Sequence, residues 1–253
     1  MRLLSRFWIV ITTITLLASL ASAALAVSPD PRTPLTPPLV PEQVLLAQPA
    51  EGTFDFGLQT ASLDLSVLPP LKAVLVVGPI DGDYGDWTLE EKISMDLAAA
   101  ELQANGVSVH KFYTPNNSWE QIKSAALGAH FFLYRGHGVY WGDANLPSNV
   151  GGLSLKEGII SPDLLRSELQ LAPNAIVMLY GCFTAGTSSA DTVRLASAEA
   201  QRRVVLYAQP FVENGAAGYF ANWFGTAFQT YIRNLFQGQS LGQAYETYFD
   251  FNA

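Results

Sequence analysis

Three short, uninterrupted apolar runs constrain this chain most: Ala73–Val77 (AVLVV), Phe131–Tyr134 (FFLY) and Ala175–Tyr180 (AIVMLY). Each is too short for a buried helix and gives way to a glycine-containing turn, the pattern of a strand covered on both faces. Helical patterns with start and stop signals alternate with them. Thr88-x-x-Glu91 reads as a capping box opening a helix to about Asn105, with Ile93, Leu97, Ala100 and Leu102 at helical spacing and Gly106 at its end. Val107–Phe112 follows as a strand. Ser118-x-x-Gln121 opens a shorter helix stopped by Gly128, and Ser161-Pro162 is an N-cap with proline at the first helical position, opening a helix to about Gln170.

Further on, Val204, Tyr207, Phe211 and Val212 favour a helix from about Ala196 to Asn214 over a strand at Val204–Ala208, with a kink expected at Pro210. A strand is expected across Ala217–Asn222. Two closing helices follow, one holding Phe228, Tyr231, Ile232, Leu235 and Phe236, the other over Leu241–Phe251. Repeated βα units predict an α/β fold: a mainly parallel sheet with helices on both faces, layered as a three-layer sandwich.

The first 26 residues stand apart from that pattern. Arg2 and Arg6 precede the apolar Phe7–Leu17, and small residues follow at Ala21-Ser22-Ala23 and Ala24-Leu25-Ala26. That is the layout of a secretory signal peptide over residues 1–26. The competing reading is an uncleaved anchor, since Phe7–Ala26 has about 20 residues, enough to span a bilayer; Thr12, Thr13, Thr15, Ser19 and Ser22 weigh against it. Either way the rest of the chain is expected outside the cytoplasm, secreted, periplasmic or at the cell surface. Residues 27–70 form a Pro-rich linker or a removable pro-segment, in which Phe54-Asp55-Phe56 and Leu63–Val67 alternate as edge strands do. The domain is expected over 71–253.

Charge excludes one class of partner. The formal net charge is -8, and nucleic acid needs clustered Lys and Arg, so no nucleic-acid partner is expected, and a membrane only if the leader stays uncleaved. The three histidines and single cysteine have no metal-ligand spacing. The loop Asp81–Asp86 lacks the full ligand pattern of a calcium-binding loop. Neither a GxSxG elbow nor a phosphate-binding glycine loop occurs. No metal or cofactor is expected.

The single cysteine, Cys182, cannot form an internal disulfide. It is a free thiol, an intermolecular bridge or an inert core side chain. Its placement favours the first. AIVMLY runs into Gly181-Cys182, and FFLY runs into Arg135-Gly136-His137-Gly138. Loops at the carboxyl ends of parallel strands build the sites of such sheets. A thiol and an imidazole there are the minimum for acyl transfer: the thiolate attacks a carbonyl, the imidazole moves the proton, and backbone N–H groups bind the oxyanion. His110 and His130 lie in strand patterns and read as structural.

At these residues the chain resembles the caspase-like cysteine peptidases, a group that includes caspases, metacaspases, gingipains, clostripain, separases and CHAT domains. The resemblance rests on FFLYRGHG and AIVMLYGC, and extends through AVLVVG, LQANG, VSVHKF and FQGQSLGQAYE, covering about Leu71–Glu246, closest to the bacterial gingipain-like and CHAT-like branches. It implies the caspase-like sandwich, His137 as general acid/base, Cys182 as nucleophile, the Gly138 and Cys182 amides as oxyanion hole, no cofactor, and a polypeptide substrate. Where caspases carry Gln-Ala-Cys-Arg-Gly, this chain has Tyr-Gly-Cys-Phe-Thr, so strict aspartate specificity is not implied. Asp143 and Asp191 follow the two motifs and are candidates for a pocket holding a basic side chain, or ordinary loop carboxylates. The expected function is an exported cysteine endopeptidase. The alternatives are a catalytically silent caspase-like scaffold and a small-molecule amidase or acyltransferase.

Overall fold

A computed structural model describes residues 70–141, 149–191, 193–222 and 225–250. The leader, the Pro-rich segment with its two alternating stretches, and Asp143 lie outside the described residues.

The long apolar runs become the middle of a sheet. In chain order the elements are β1 (Lys72–Val77), α1 (Asp86–Ala104), β2 (Ser108–Tyr113), α2 (Trp119–Ala126), β3 (Ala129–Arg135), β4 (Tyr140–Trp141), β5 (Asn149–Val150), β6 (Leu153–Leu155), β7 (Gly158–Ile160), α3 (Pro162–Glu168), β8 (Leu171–Tyr180), α4 (Ser197–Glu213), β9 (Ala216–Ala221), α5 (Ala227–Phe236) and α6 (Leu241–Asp250). Five strands form one parallel sheet in the order β2-β1-β3-β8-β9. Successive side chains of each strand point to opposite faces. Val74 and Val76 therefore enter the core under α2, α3 and α4, while Ala73, Leu75 and Val77 enter the core under α1, α5 and α6. The expected α/β architecture, a parallel sheet between helical layers, is what the chain adopts.

The segment between β3 and α3 holds two antiparallel ribbons, β4–β5 and β6–β7. They pack at the carboxyl end of β3: the buried Tyr134 hydroxyl accepts from Ser154 N at 3.1 Å, and Gly151 N donates to Val139 O at 3.0 Å.

Helix α1 departs from expectation at its start and in its orientation. Thr88 does not cap it. The helix begins at Asp86, and the carboxylate of Asp81, from the preceding loop, accepts from Trp87 N and Thr88 N at 3.1 and 3.0 Å. Glu91 reaches Arg135 instead of closing a capping box. Its inward face is Thr88, Glu91, Met95, Ala98, Ala99 and Leu102, while Ile93, Leu97 and Ala100 face outward. Turning Ile93 and Leu97 inward would rotate Glu91 away from Arg135. That guanidinium is fully buried between the rings of Tyr180 (4.1 Å) and Phe228 (5.0 Å), and an unpaired buried charge costs more than exposed aliphatic surface. Small residues on the inner face also let α1 lie close to the sheet. A helix, as expected in place of a strand at Val204–Ala208, spans Ser197–Glu213 with Pro210 inside it.

Among the described residues no helix is long and apolar enough to cross a membrane.

Candidate functional site

The geometry of the site starts from strand register. β3 and β8 pair in parallel with Phe132 opposite Val177, Tyr134 opposite Leu179 and Arg135 opposite Tyr180. Both strands end at the same level, so the His137 and Cys182 turns leave the sheet side by side. Gly136 N donates to Tyr180 O at 3.1 Å, adding one rung beyond the ladder.

The two turns touch through their backbones. A Cβ on Gly138 would sit 1.7 Å from Cys182 O and 2.7 Å from Cys182 N; one on Gly181 would sit 2.7 Å from Gly136 O and 3.1 Å from Gly138 N. Only glycine fits at either position, for lack of space. Gly136 is required for the same reason, because a Cβ there would meet the Tyr134 hydroxyl at 2.5 Å. Among the described residues neither Gly138 N nor Cys182 N donates to a carbonyl. The His137 and Cys182 turns thus lie against each other at Gly138, and neither Gly138 N nor Cys182 N is committed to a backbone carbonyl.

Each turn is held by groups far away in sequence. Tyr134 OH donates to His137 O at 2.9 Å. Tyr207, buried in α4, donates from its hydroxyl to Val139 O at 3.1 Å and accepts from Val139 N. His137 Nε2 lies 2.8 Å from Ile80 O in the loop after β1. A carbonyl only accepts, so Nε2 carries a proton, and the tautomer compatible with this contact has its lone pair on Nδ1. Among the described residues no hydrogen bond joins the imidazole to the thiol.

On the other side, Phe183 follows Cys182 with φ 68°, a left-handed conformation rare for a bulky side chain. It is buried and held by Phe183 N→Thr187 O (2.8 Å), by the edge of the Tyr140 ring (5.9 Å) and by the Arg203 guanidinium over its face (5.3 Å). Such strain persists only where the surroundings over-determine it. Here it turns the chain sharply just past the thiol. Burial pushes the Cys182 thiol above its ordinary pKa; the Ser188 and Ser189 side chains pull it down, and the Asp191 carboxylate pushes it up again. At neutral pH the group is a thiol that needs a base.

Asp191 is committed elsewhere. Its oxygens accept from Arg203 Nη1 at 2.9 and 3.0 Å and from Ser188 N at 2.8 Å, with the Arg203 and Asp191 side chains 3% and 9% exposed. That neutralised pair braces the turn beyond Cys182; it does not offer a free carboxylate to a basic ligand. Asp83 is likewise engaged, by Lys156 Nζ at 2.7 Å and by the Thr114 hydroxyl. Among the described residues no three His, Cys, Asp or Glu side chains converge as metal ligands. His130 Nδ1 accepts from Lys72 N at 3.2 Å, and His110 is exposed on β2.

Tyr134, Tyr207, Arg203 and the Ile80 carbonyl were invisible to motif reading. Each acts across 3 to 68 positions of sequence, and none carries a local signature.

No family model matches the chain, and no curated protein matches it. Among solved structures it is similar to a short-chain flavodoxin associated with a non-canonical PDU bacterial microcompartment. Identity is 14%, the match covers 70% of this chain and 99% of that one, and the TM-score is 0.33, too low to carry an argument about fold or function.

Proposed function

We propose that this chain is an exported cysteine endopeptidase of the caspase-like type, acting through Cys182 and His137. The observation that carries the reading is the backbone contact between Gly138 and Cys182, which brings the imidazole-bearing and thiol-bearing turns together with neither Gly138 N nor Cys182 N committed to a backbone carbonyl. Export rests on the N-terminal pattern, and the caspase-like assignment on FFLYRGHG and AIVMLYGC ending adjacent strands.

The reaction would run as follows. His137 Nδ1 takes the thiol proton as Sγ bonds to the scissile carbonyl carbon. Negative charge moves to the carbonyl oxygen, where the Gly138 and Cys182 amides stabilise it. The C–N bond breaks, the amine leaves with the proton from His137, and a thioester remains. Water attacks that thioester with His137 again as base, releasing the acid and restoring the thiol. With the proton held on Nε2 by Ile80 O, Nδ1 is the nitrogen that performs each transfer.

A second reading, a silent caspase-like scaffold, draws on the absence of an imidazole–thiol hydrogen bond among the described residues and on the raised thiol. The two separate cleanly. The purified full chain and its Cys182→Ala and His137→Ala variants are incubated with a mixed peptide library, and products are read by mass spectrometry. Cleavage by wild type, lost in both variants, supports the peptidase and reports residue preference. No cleavage by wild type, or equal cleavage in Cys182→Ala, refutes it.

A further inference from the structure

We propose that Thr88 and Asp81 are positioning residues for His137, acting through the Ile80 carbonyl to hold the imidazole with its proton on Nε2. The proposal deepens the peptidase reading and rests on it for the role of His137.

Four contacts close around one peptide. The Thr88 hydroxyl accepts from Ile80 N at 2.9 Å and from Asp81 N at 3.4 Å, and donates to Asp81 Oδ1 at 3.0 Å. Asp81 Oδ1 in turn accepts from Thr88 N at 3.0 Å. The peptide linking Ile80 to Asp81 supplies the carbonyl that His137 Nε2 meets at 2.8 Å. Its N–H sits on the Thr88 hydroxyl, so the direction of its C=O is set from the opposite side. Thr88 is fully buried and has no route to water in place of these partners.

Helix initiation alone does not account for the hydroxyl. The Asp81 carboxylate already accepts from the first-turn N–H groups of Trp87 and Thr88. Every contact of Thr88 Oγ1 is made instead to Ile80 and Asp81. Space is kept for the arrangement: a Cβ on Gly85 would lie 2.2 Å from Asp81 Cγ and 2.2 Å from Oδ1. Burial alone would push the Asp81 carboxyl up, but hydrogen bonds from Thr88 and Trp87 hold it below its ordinary value, so it stays an acceptor.

The state of the imidazole can be read directly. The chain has three histidines, so the full chain labelled with 15N-histidine gives few resonances in long-range 1H–15N correlation, and His137→Ala assigns the relevant one. His130, whose Nδ1 accepts from Lys72 N, serves as an internal reference fixed in the same tautomer. In wild type His137 is expected wholly as the Nε2–H tautomer. In Thr88→Val it becomes a tautomer mixture, and alkylation of Cys182 by iodoacetamide at neutral pH slows by about tenfold or more. Thr88→Ser restores both. Gly85→Ala, which displaces the Asp81 carboxylate, is expected to reproduce the Thr88→Val spectrum and covers the case in which the valine variant does not fold. An unchanged His137 tautomer in a folded Thr88→Val or Gly85→Ala chain overturns the proposal, as does failure of serine to rescue. If wild type and His137→Ala alkylate equally, the dyad reading falls; the tautomer comparison is still read on its own terms.

Discussion

Replacing Gly138 by alanine tests the contact on which the functional reading depends. The added methyl would sit 1.7 Å from Cys182 O and 2.5 Å from Cys182 C, where ordinary contact begins at 3.4 Å. The shortfall is about 1.7 Å against one carbonyl. Both neighbours are backbone, so no side-chain rotation relieves it. The His137 turn is held by Tyr134 and Tyr207 and the Cys182 turn by its own αL link, so the strain divides between two tethered loops. Overpacking of this kind costs about 1–3 kcal/mol, and at about 2–4 °C per kcal/mol for a chain of this size the melting temperature should fall by about 2–12 °C. Function should suffer more than stability, because a displacement of about 1 Å in a reacting geometry costs on the order of a hundredfold in rate. The assay pairs thermal unfolding followed by circular dichroism with peptide hydrolysis and Cys182 alkylation. Gly242→Ala is the control: nothing lies within 4 Å of its Cβ position and it sits in α6, so it should be neutral or gain about 0.5–1 kcal/mol. A Gly138→Ala chain that melts with wild type and hydrolyses peptides at the wild-type rate would show that the two turns are not in contact.

Further outcomes follow from other parts of the site. Tyr207→Phe leaves buried Val139 without its side-chain partner, at a cost of about 1–3 kcal/mol in urea unfolding, with faster hydrogen exchange at Val139; unchanged exchange there would remove the latch. Asp191→Ala removes one of the two carboxylates on buried Arg203, leaving Glu199 at 3.1 Å, and should destabilise by about 1.5–3 kcal/mol; a loss under about 0.5 kcal/mol would mean the pair does not brace the turn. In His137→Ala, alkylation of Cys182 should keep rising with pH past the ordinary thiol midpoint of about 8.5, since burial favours the protonated form; a midpoint below that value would contradict the burial seen here.

How much of this was legible in the sequence divides by the range of the interaction. Strand ends and helix boundaries are written locally: FFLY into Gly136-His137-Gly138, AIVMLY into Gly181-Cys182, and Ser161-Pro162 before α3, whose Ser161 hydroxyl accepts from Leu164 N at 3.1 Å. The neighbouring of β3 and β8 follows from a right-handed crossover through α3. Long-range pairing was not readable. Thr88 and Glu91 satisfy the capping-box spacing, yet Asp81 outcompetes Thr88 because Gly85 leaves room for its carboxylate, and Glu91 is drawn off by Arg135. Spacing likewise placed Ile93 and Leu97 inward, where the demand of one buried cation turned the helix the other way. Asp191 looked like a free loop carboxylate because Arg203 approaches it from a helix that begins only at Ser197.

The level ending of β3 and β8 has a consequence for how this chain can diverge. Their pairing is continuous from Phe131 opposite Ile176 to Arg135 opposite Tyr180, and the one irregularity lies upstream, between Ala129 and Phe131. A residue inserted or deleted downstream of that irregularity would shift one turn by about 3.3 Å and carry its side chain to the opposite face of the sheet. Insertions upstream can be absorbed at the bulge without disturbing the turns. Length changes in descendants of this sequence are therefore expected before Phe131 and Ile176 or in the ribbons beyond Val139, and not in the short stretches that end at His137 and Cys182.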